Sequence, residues 1–205
     1  MTDARQYAPA TERNQEPILK VLLRVLPRRG DILEISSGTG QHALYFAPYV
    51  YPRRWIPSDC NDPALESIKA WANYCLTDNL QPPLYINAEE GKWSVENQET
   101  NIAAIVNINM IHIAPWSACE GLMAGAGRIL PNDGVLYLYG PYKINGRHTS
   151  DSNEIFHNSL LVQSHLWGLR DLEEVVAQAK KEGLHQTETI PMPAHNFSLV
   201  FKKVA

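Results

Sequence analysis

Apolar residues along this chain come in two periods that take turns. Short runs rich in strand formers (Ile32, Leu33 and Ile35; Arg54 to Ser58; Leu84 to Asn87; Ile102 to Asn107; Gly134 to Tyr139) predict five strands, and stripes with helical spacing lie between them. Asn14 to Leu26 puts Ile18, Val21, Leu22 and Val25 on one face, with Pro17 near the first turn, so a helix precedes the first strand. Ala43, Leu44, Phe46 and Ala47 mark a second helix. Leu65, Ile68, Ala72 and Cys75 mark a third, beginning near Pro63, and Ala114 to Gly127 form a fourth. Asp171 to Glu182 turns Leu172, Val175, Val176 and Ala179 inward, between a capping box, Asp171-x-x-Glu174, and the stop at Gly183. Residues 1 to 11 are expected to be loose, and the polar stretch Lys143 to His157 to form a long loop carrying specificity.

The kind of strand follows from the pattern. Ile102 to Asn107 is apolar without interruption until its last residue, as a central parallel strand buried on both faces requires. Leu184 to Ile190 and Phe197 to Lys203 are two further strand-like runs joined only by Pro191 to Asn196, too few residues for a crossover helix, so they pair antiparallel. The expectation is an α/β domain spanning 1–205, with a mostly parallel sheet and no internal repeat or linker.

Composition changes this picture by exclusion. With 205 residues, 44% of them apolar, the chain can bury one full core. A net charge of -4, with no Lys/Arg run longer than two, lacks the broad basic face that a phosphate backbone demands, so no nucleic-acid partner is expected. No apolar run approaches the ~20 residues of a membrane span and the N-terminus is polar, which predicts a soluble, cytoplasmic protein without a membrane partner, monomeric or a homodimer. Cys60, Cys75 and Cys119 are scattered without a C-x-x-C pair; reduced cysteines in or near the core are expected, and no metal site.

The candidate chemistry centres on Asp31 to His42, which reads as a strand, a glycine turn at Gly38 and Gly40, and a helix start. Such a turn lets a ligand lie against the backbone while amides of the next helix point at it. Gly38-Thr39-Gly40-Gln41-His42-Ala43 fits the dinucleotide fingerprint G-x-G-x-x-G/A, and Asp59 stands where a ribose-binding acid is expected. Glu34 decides between nucleotides: a carboxylate before the glycines repels a pyrophosphate but attracts the ammonium and sulfonium of S-adenosylmethionine. Asp59 suits both ribose hydroxyls; its alternative is to cap the following helix, a task for which Asn61 and Asp62 are also fitted. Asn87 offers an amide to adenine, with Ala88 and Glu89 as competitors.

Glu34-x-x-x-Gly38-x-Gly40 resembles the first motif of class I S-adenosylmethionine-dependent methyltransferases, with Ser36 in place of the first glycine. Ala8 to Asn14, Trp55 to Asp59, Asn109 to Trp116, Tyr139 to Tyr142 and Met192 to Asn196 are similar to the methyltransferase-like protein 26 family, over nearly the whole chain. The resemblance implies a Rossmann-like, seven-stranded sheet of order 3-2-1-4-5-7-6 with an extra N-terminal helix over the cleft. The class I motif implies methyl transfer, and the polar and aromatic residues gathered at the cleft favour a small-molecule acceptor, on oxygen or nitrogen. A non-catalytic binder of the same cofactor, or an NAD(P)-dependent oxidoreductase, is the alternative. Within this frame Glu34, Ser36, Gly38, Gly40, Asp59, Asn87 and Asn109 are expected at the cofactor, and His112 and Tyr139 at the reaction. His112 is a general base of near-neutral pKa or else a packed core histidine. Arg13, Asn14, Trp116, Tyr142, Asn153, His195 and Asn196 are expected at the acceptor, unless Asn14 merely caps its helix and Arg13 is solvated.

Overall fold

Successive side chains of a strand leave the sheet on opposite faces, and each central strand here serves two apolar layers. The structure, a computed structural model, describes residues 3–204. Its elements run α1 (Pro9–Val25), β1 (Asp31–Ile35), α2 (Gln41–Val50), β2 (Trp55–Asp59), α3 (Asp62–Ala72), β3 (Leu84–Tyr85), β4 (Ile102–Ile108), α4 (Trp116–Ile129) and β5 (Val135–Gly140). A hairpin of β6 (Lys143–Ile144) and β7 (Arg147–His148) follows, then α5 (Asp151–Gln163), α6 (Leu172–Lys181), β8 (Leu184–Met192) and β9 (Asn196–Lys203). On β5, Val135, Tyr137 and Tyr139 join the layer built with Leu22 of α1 and Phe46 of α2. Leu136 and Leu138 join the opposite layer, with Leu122 of α4 and Val175 of α6.

The main sheet has the order β3-β2-β1-β4-β5-β9-β8, parallel from β3 to β5, with β9 antiparallel to both β5 and β8. Setting aside the separate β6-β7 hairpin, this is the expected 3-2-1-4-5-7-6. The carboxyl ends of β1, β2 and β4 therefore open on one edge, on either side of the place where strand order reverses, which is where ligands sit in open α/β sheets. Among the described residues no helix is long and apolar enough to cross a membrane.

Several expectations fail for local reasons. Helix α1 starts at Pro9 and not at Asn14: Pro9 takes the first-turn position, Pro17 lies mid-helix, and Asn14 is inside rather than a cap. The segment before α1 is not loose. Gln6 N–H donates to Ser67 Oγ at 2.8 Å, Ala8 N–H to Gln41 Oε1 at 2.7 Å, and Tyr7 packs edge-on against Trp71. Of the expected loose stretch, Met1 and Thr2 lie outside the described residues. The expected loop 143–157 is a hairpin followed by a helix. Asn145 and Gly146 both adopt positive φ, the two-residue turn that suits a hairpin, and Ser150 caps α5 by accepting from Asn153 N–H. The capping box at Asp171 does not form, because Asp171 binds Gly146 N–H at 2.7 Å and Lys143 Nζ at 3.0 Å instead. At the sheet edge β3 keeps only two paired residues, leaving Asn87 beyond it. Cys119 is buried as expected, but Cys60 is exposed.

Candidate active site

Two cavities lie at this edge, of about 580 and 540 Å³, and they share Ala10, Asn14, Asn109 and Ile113. The first is built on the glycine turn. Ser36, Gly38 and Gly40 all adopt positive φ, so the chain doubles back where β1 ends. A Cβ on Gly40 would strike the Ile68 backbone at 2.8 Å, so α3 packs tightly under the turn; a Cβ on Gly38 would meet nothing within 4 Å. The open space above Gly38 is the approach a ligand needs. Ser36 holds a φ of 56° that costs an L-residue ~1 kcal/mol, which is the physical reason for glycine at this place in the motif it resembles.

Acids line this cavity. Glu34, 1% exposed, accepts from Ser37 Oγ at 2.8 Å and Trp55 Nε1 at 3.0 Å. Burial, with Asp59 nearby, nevertheless pushes its carboxyl up to about 7. Asp59 accepts from Gly38 N–H at 2.9 Å and Asn61 N–H at 3.0 Å, so it ties β2 to the turn while each oxygen retains a lone pair. It does not cap α3; Asn61 does, accepting from Ala64 N–H. Asn87 and Glu89 complete the rim, with the Asn87 Oδ1 accepting Glu89 N–H at 3.0 Å. No Lys or Arg lines the first cavity among the described residues.

The second cavity lies under α1 and α5. Arg13, His112, Tyr139, Asn153, Phe156 and Asn196 contribute to its wall. Asn14 stands at the junction: its Oδ1 lies 2.8 Å from His42 Nε2, which therefore carries the ring proton, and its amide neighbours the Tyr139 hydroxyl. Asn109, also shared, adopts a φ of 63° and presents Oδ1 to His112 Nε2 at 3.2 Å. Asn153 spends its amide hydrogens on Thr149 Oγ1 and the His195 carbonyl, and Asn196 its own on Pro193 and Ala194 carbonyls.

His112 departs from the expectation of a near-neutral base. It is 1% exposed, lies edge-on to Tyr142 and Phe156, and leaves no room for a Cβ on Gly140, which would meet its Cε1 at 2.2 Å. Burial, and then Arg170, lower its pKa to about 3, and Nδ1 has no partner among the described residues. The geometry fits the packed, neutral alternative. Burial likewise raises the Tyr139 hydroxyl above its ordinary value.

Three expected acceptor residues sit elsewhere. Trp116 lies outside both cavities, under the Arg170 guanidinium at 5.8 Å, because it opens α4 on the side facing α6. Tyr142 is fully buried in the core, since the chain turns inward after β5. His195 is exposed and offers only its backbone carbonyl, to Asn153. His42, Thr11 and Trp167 are among the lining residues with no role assigned from the sequence. His42, lowered to about 4 by burial, was legible as part of the glycine turn but had no partner in sequence, because Asn14 is 28 positions away. Thr11 and Trp167 reach the first cavity from α1 and from the segment before α6, where no periodicity marks them.

The family model described as "Protein of unknown function (DUF938)" matches residues 5–203. Among solved structures, a putative O-methyltransferase from Nostoc punctiforme PCC 73102 matches with a TM-score of 0.81 at 16% identity, over 98% of this chain and 58% of that one. An O-methyltransferase family protein from Burkholderia thailandensis matches at 0.78 and 12%, over 96% and 58%. Human N-acetylserotonin methyltransferase, in complex with SAM, matches at 0.75 and 11%, over 96% and 53%. The chain thus spans little more than half the length of these structures, and at such identities the likeness establishes the Rossmann-like methyltransferase fold.

Proposed function

Since this chain belongs to the DUF938 family, whose function is unknown, we propose from its site that it is an S-adenosylmethionine-dependent methyltransferase acting on oxygen or nitrogen of a small-molecule acceptor. The observation that carries the reading is the acid-lined cavity on the glycine turn, joined through Asn14 and Asn109 to a second cavity of similar size. Glu34 and Asp59, with no Lys or Arg lining their cavity among the described residues, suit a ligand with two cationic centres and a ribose, and repel a pyrophosphate. The fold shared with O-methyltransferases, one of them solved with SAM, and the resemblance to the methyltransferase-like protein 26 family support the same reading.

When bound, S-adenosylmethionine supplies an electrophilic methyl whose bond to sulfur breaks with both electrons staying on sulfur as a new bond forms to the acceptor, whose proton is released. The protein's share is placement. Asp59 would hold the ribose, Glu34 would face the positive end, and Asn109, rigid in its left-handed conformation, would divide the two ligands. A neutral, buried His112 is poorly suited to take a proton and well suited to hold Asn109 in place, so rate would come from proximity. The same observation favours, as a second reading, a protein that binds the cofactor without turnover. Calorimetric titration with S-adenosylmethionine, S-adenosylhomocysteine and NAD tests the cofactor: tight NAD binding with no response to the sulfur compounds overturns it. A metabolite screen with labelled methyl then separates enzyme from binder.

A further inference from the structure

The second cavity has a charge pattern of its own. No Asp or Glu lines it among the described residues, and Arg13 is its one permanent charge. Arg13 forms no ion pair or side-chain hydrogen bond among the described residues, as holds for the exposed Arg28, Arg29 and Arg147, but unlike these it lines a cavity, while Arg5, Arg24, Arg54 and Arg128 each hold a carboxylate. Its position follows from the early start of α1: beginning at Pro9 puts Arg13 one turn in, beside Ala10 and Asn14, over the cavity. The remaining wall is largely apolar, with Ile113, Pro141, Phe156 and Pro193. The amide hydrogens of Asn153 and Asn196 are already spent, so what these side chains still offer is carbonyl oxygen. Oxygen acceptors welcome a hydroxyl or amine and disfavour a second anion.

We infer that the acceptor is a small acid: an apolar body carrying one carboxylate or similar anion that pairs with Arg13, and a hydroxyl or amine directed toward Asn109. The inference rests on the methyltransferase reading for the word acceptor, but the binding preference itself does not. An unpaired guanidinium at the mouth of an otherwise uncharged cavity discriminates by charge, because its fork matches a carboxylate and repels an ammonium. The shared junction then sets a division of labour, with a cationic ligand in the first cavity and an anionic one in the second.

Three probes of one shape test it: 4-hydroxyphenylacetate, its neutral amide and tyramine, titrated into the full chain by calorimetry or ligand-observed NMR, with and without S-adenosylhomocysteine. The acid should bind about five- to tenfold more tightly than the amide, as for a partly exposed charge-assisted pair, with the amine weakest. Arg13→Gln should erase the difference and Arg13→Lys should keep part of it; Arg13 is exposed, so both should fold. Equal binding of acid and amide, preference for the amine, no binding of any probe at millimolar concentration, or a preference indifferent to Arg13→Gln would each overturn the proposal. A protein that ignores S-adenosylhomocysteine yet keeps an Arg13-dependent acid preference would lose the methyltransferase reading and retain this one. Tight S-adenosylhomocysteine binding without that preference would do the reverse.

Discussion

The two cavities have nearly the same volume and share one wall, yet they are made of different material. The first is mostly backbone-built: a glycine turn, three consecutive strand ends and an acid, Asp59, whose oxygens are pinned by the Gly38 and Asn61 amides. The second is built by side chains on α1, α5 and the β8–β9 turn, elements that meet only in three dimensions. A backbone-built site specifies one ligand closely, because strand ends and turn amides cannot drift. A side-chain wall changes with each substitution, which suits it to set acceptor choice.

The largest expected effect tests whether the second cavity also supports the fold. His112→Ala removes a ring wedged between Tyr142, Phe156 and Gly140, and should cost about 2–4 kcal/mol in urea unfolding, while S-adenosylhomocysteine affinity stays put. Loss of affinity in step with stability would mean that the cavities are not separable. Next, Asp59→Ala should weaken cofactor binding by about 1.5–3 kcal/mol and leave the acid preference of the second cavity intact. Calorimetry on the same variant with both ligand types measures each side.

Acid titration should separate the cavities in a third way. Glu34, raised from 4.5 to about 7, keeps its proton in the native state across that window, so without ligand its contribution to stability is lost as pH rises from 4.5 through 7. A cationic ligand prefers the ionised form, so its binding should release a proton and strengthen with pH up to about 7, by at most about tenfold per unit, then level off. Glu34→Gln should flatten that slope; a slope unchanged in the variant would remove Glu34 from the ligand's charge. His42 and His112, lowered to about 4 and about 3, act oppositely: the unfolded chain takes their protons first, so stability falls as pH drops below 6.5. The difference between wild type and Glu34→Gln isolates the carboxyl from this background. The smallest effect concerns the turn: Ser36→Gly relieves a positive φ and should raise stability by about 0.5–1 kcal/mol, read as a modest rise in Tm.

The central buried strand, the antiparallel last strand and the glycine turn were legible in the chain because each rests on a local pattern: an unbroken apolar run at Ile102 to Asn107, six residues between the last two strands, glycines after a strand; the order of the sheet was implied by the resemblance of that glycine motif to class I methyltransferases. Helix α5 was not legible, because only Asn153 and Leu160 of its thirteen residues are buried, so no apolar stripe announces it. The hairpin before it does carry a local signal, the Asn145-Gly146 pair that suits a two-residue turn.

The same division holds at the site. Residues within a few positions of a strand end (Glu34, Gly38, Asp59, Asn87, Asn109) reach the cavities simply because strands of a parallel sheet end together. Tyr142 and His195 are equally near such ends and Trp116 opens the helix that follows one, but which way a side chain faces after the chain leaves the sheet depends on the helix packed behind it. The pairing of Asn14 with His42, the burial that holds His112 neutral and the isolation of Arg13 came only with the tertiary structure, since each is set by distant neighbours that local periodicity does not encode.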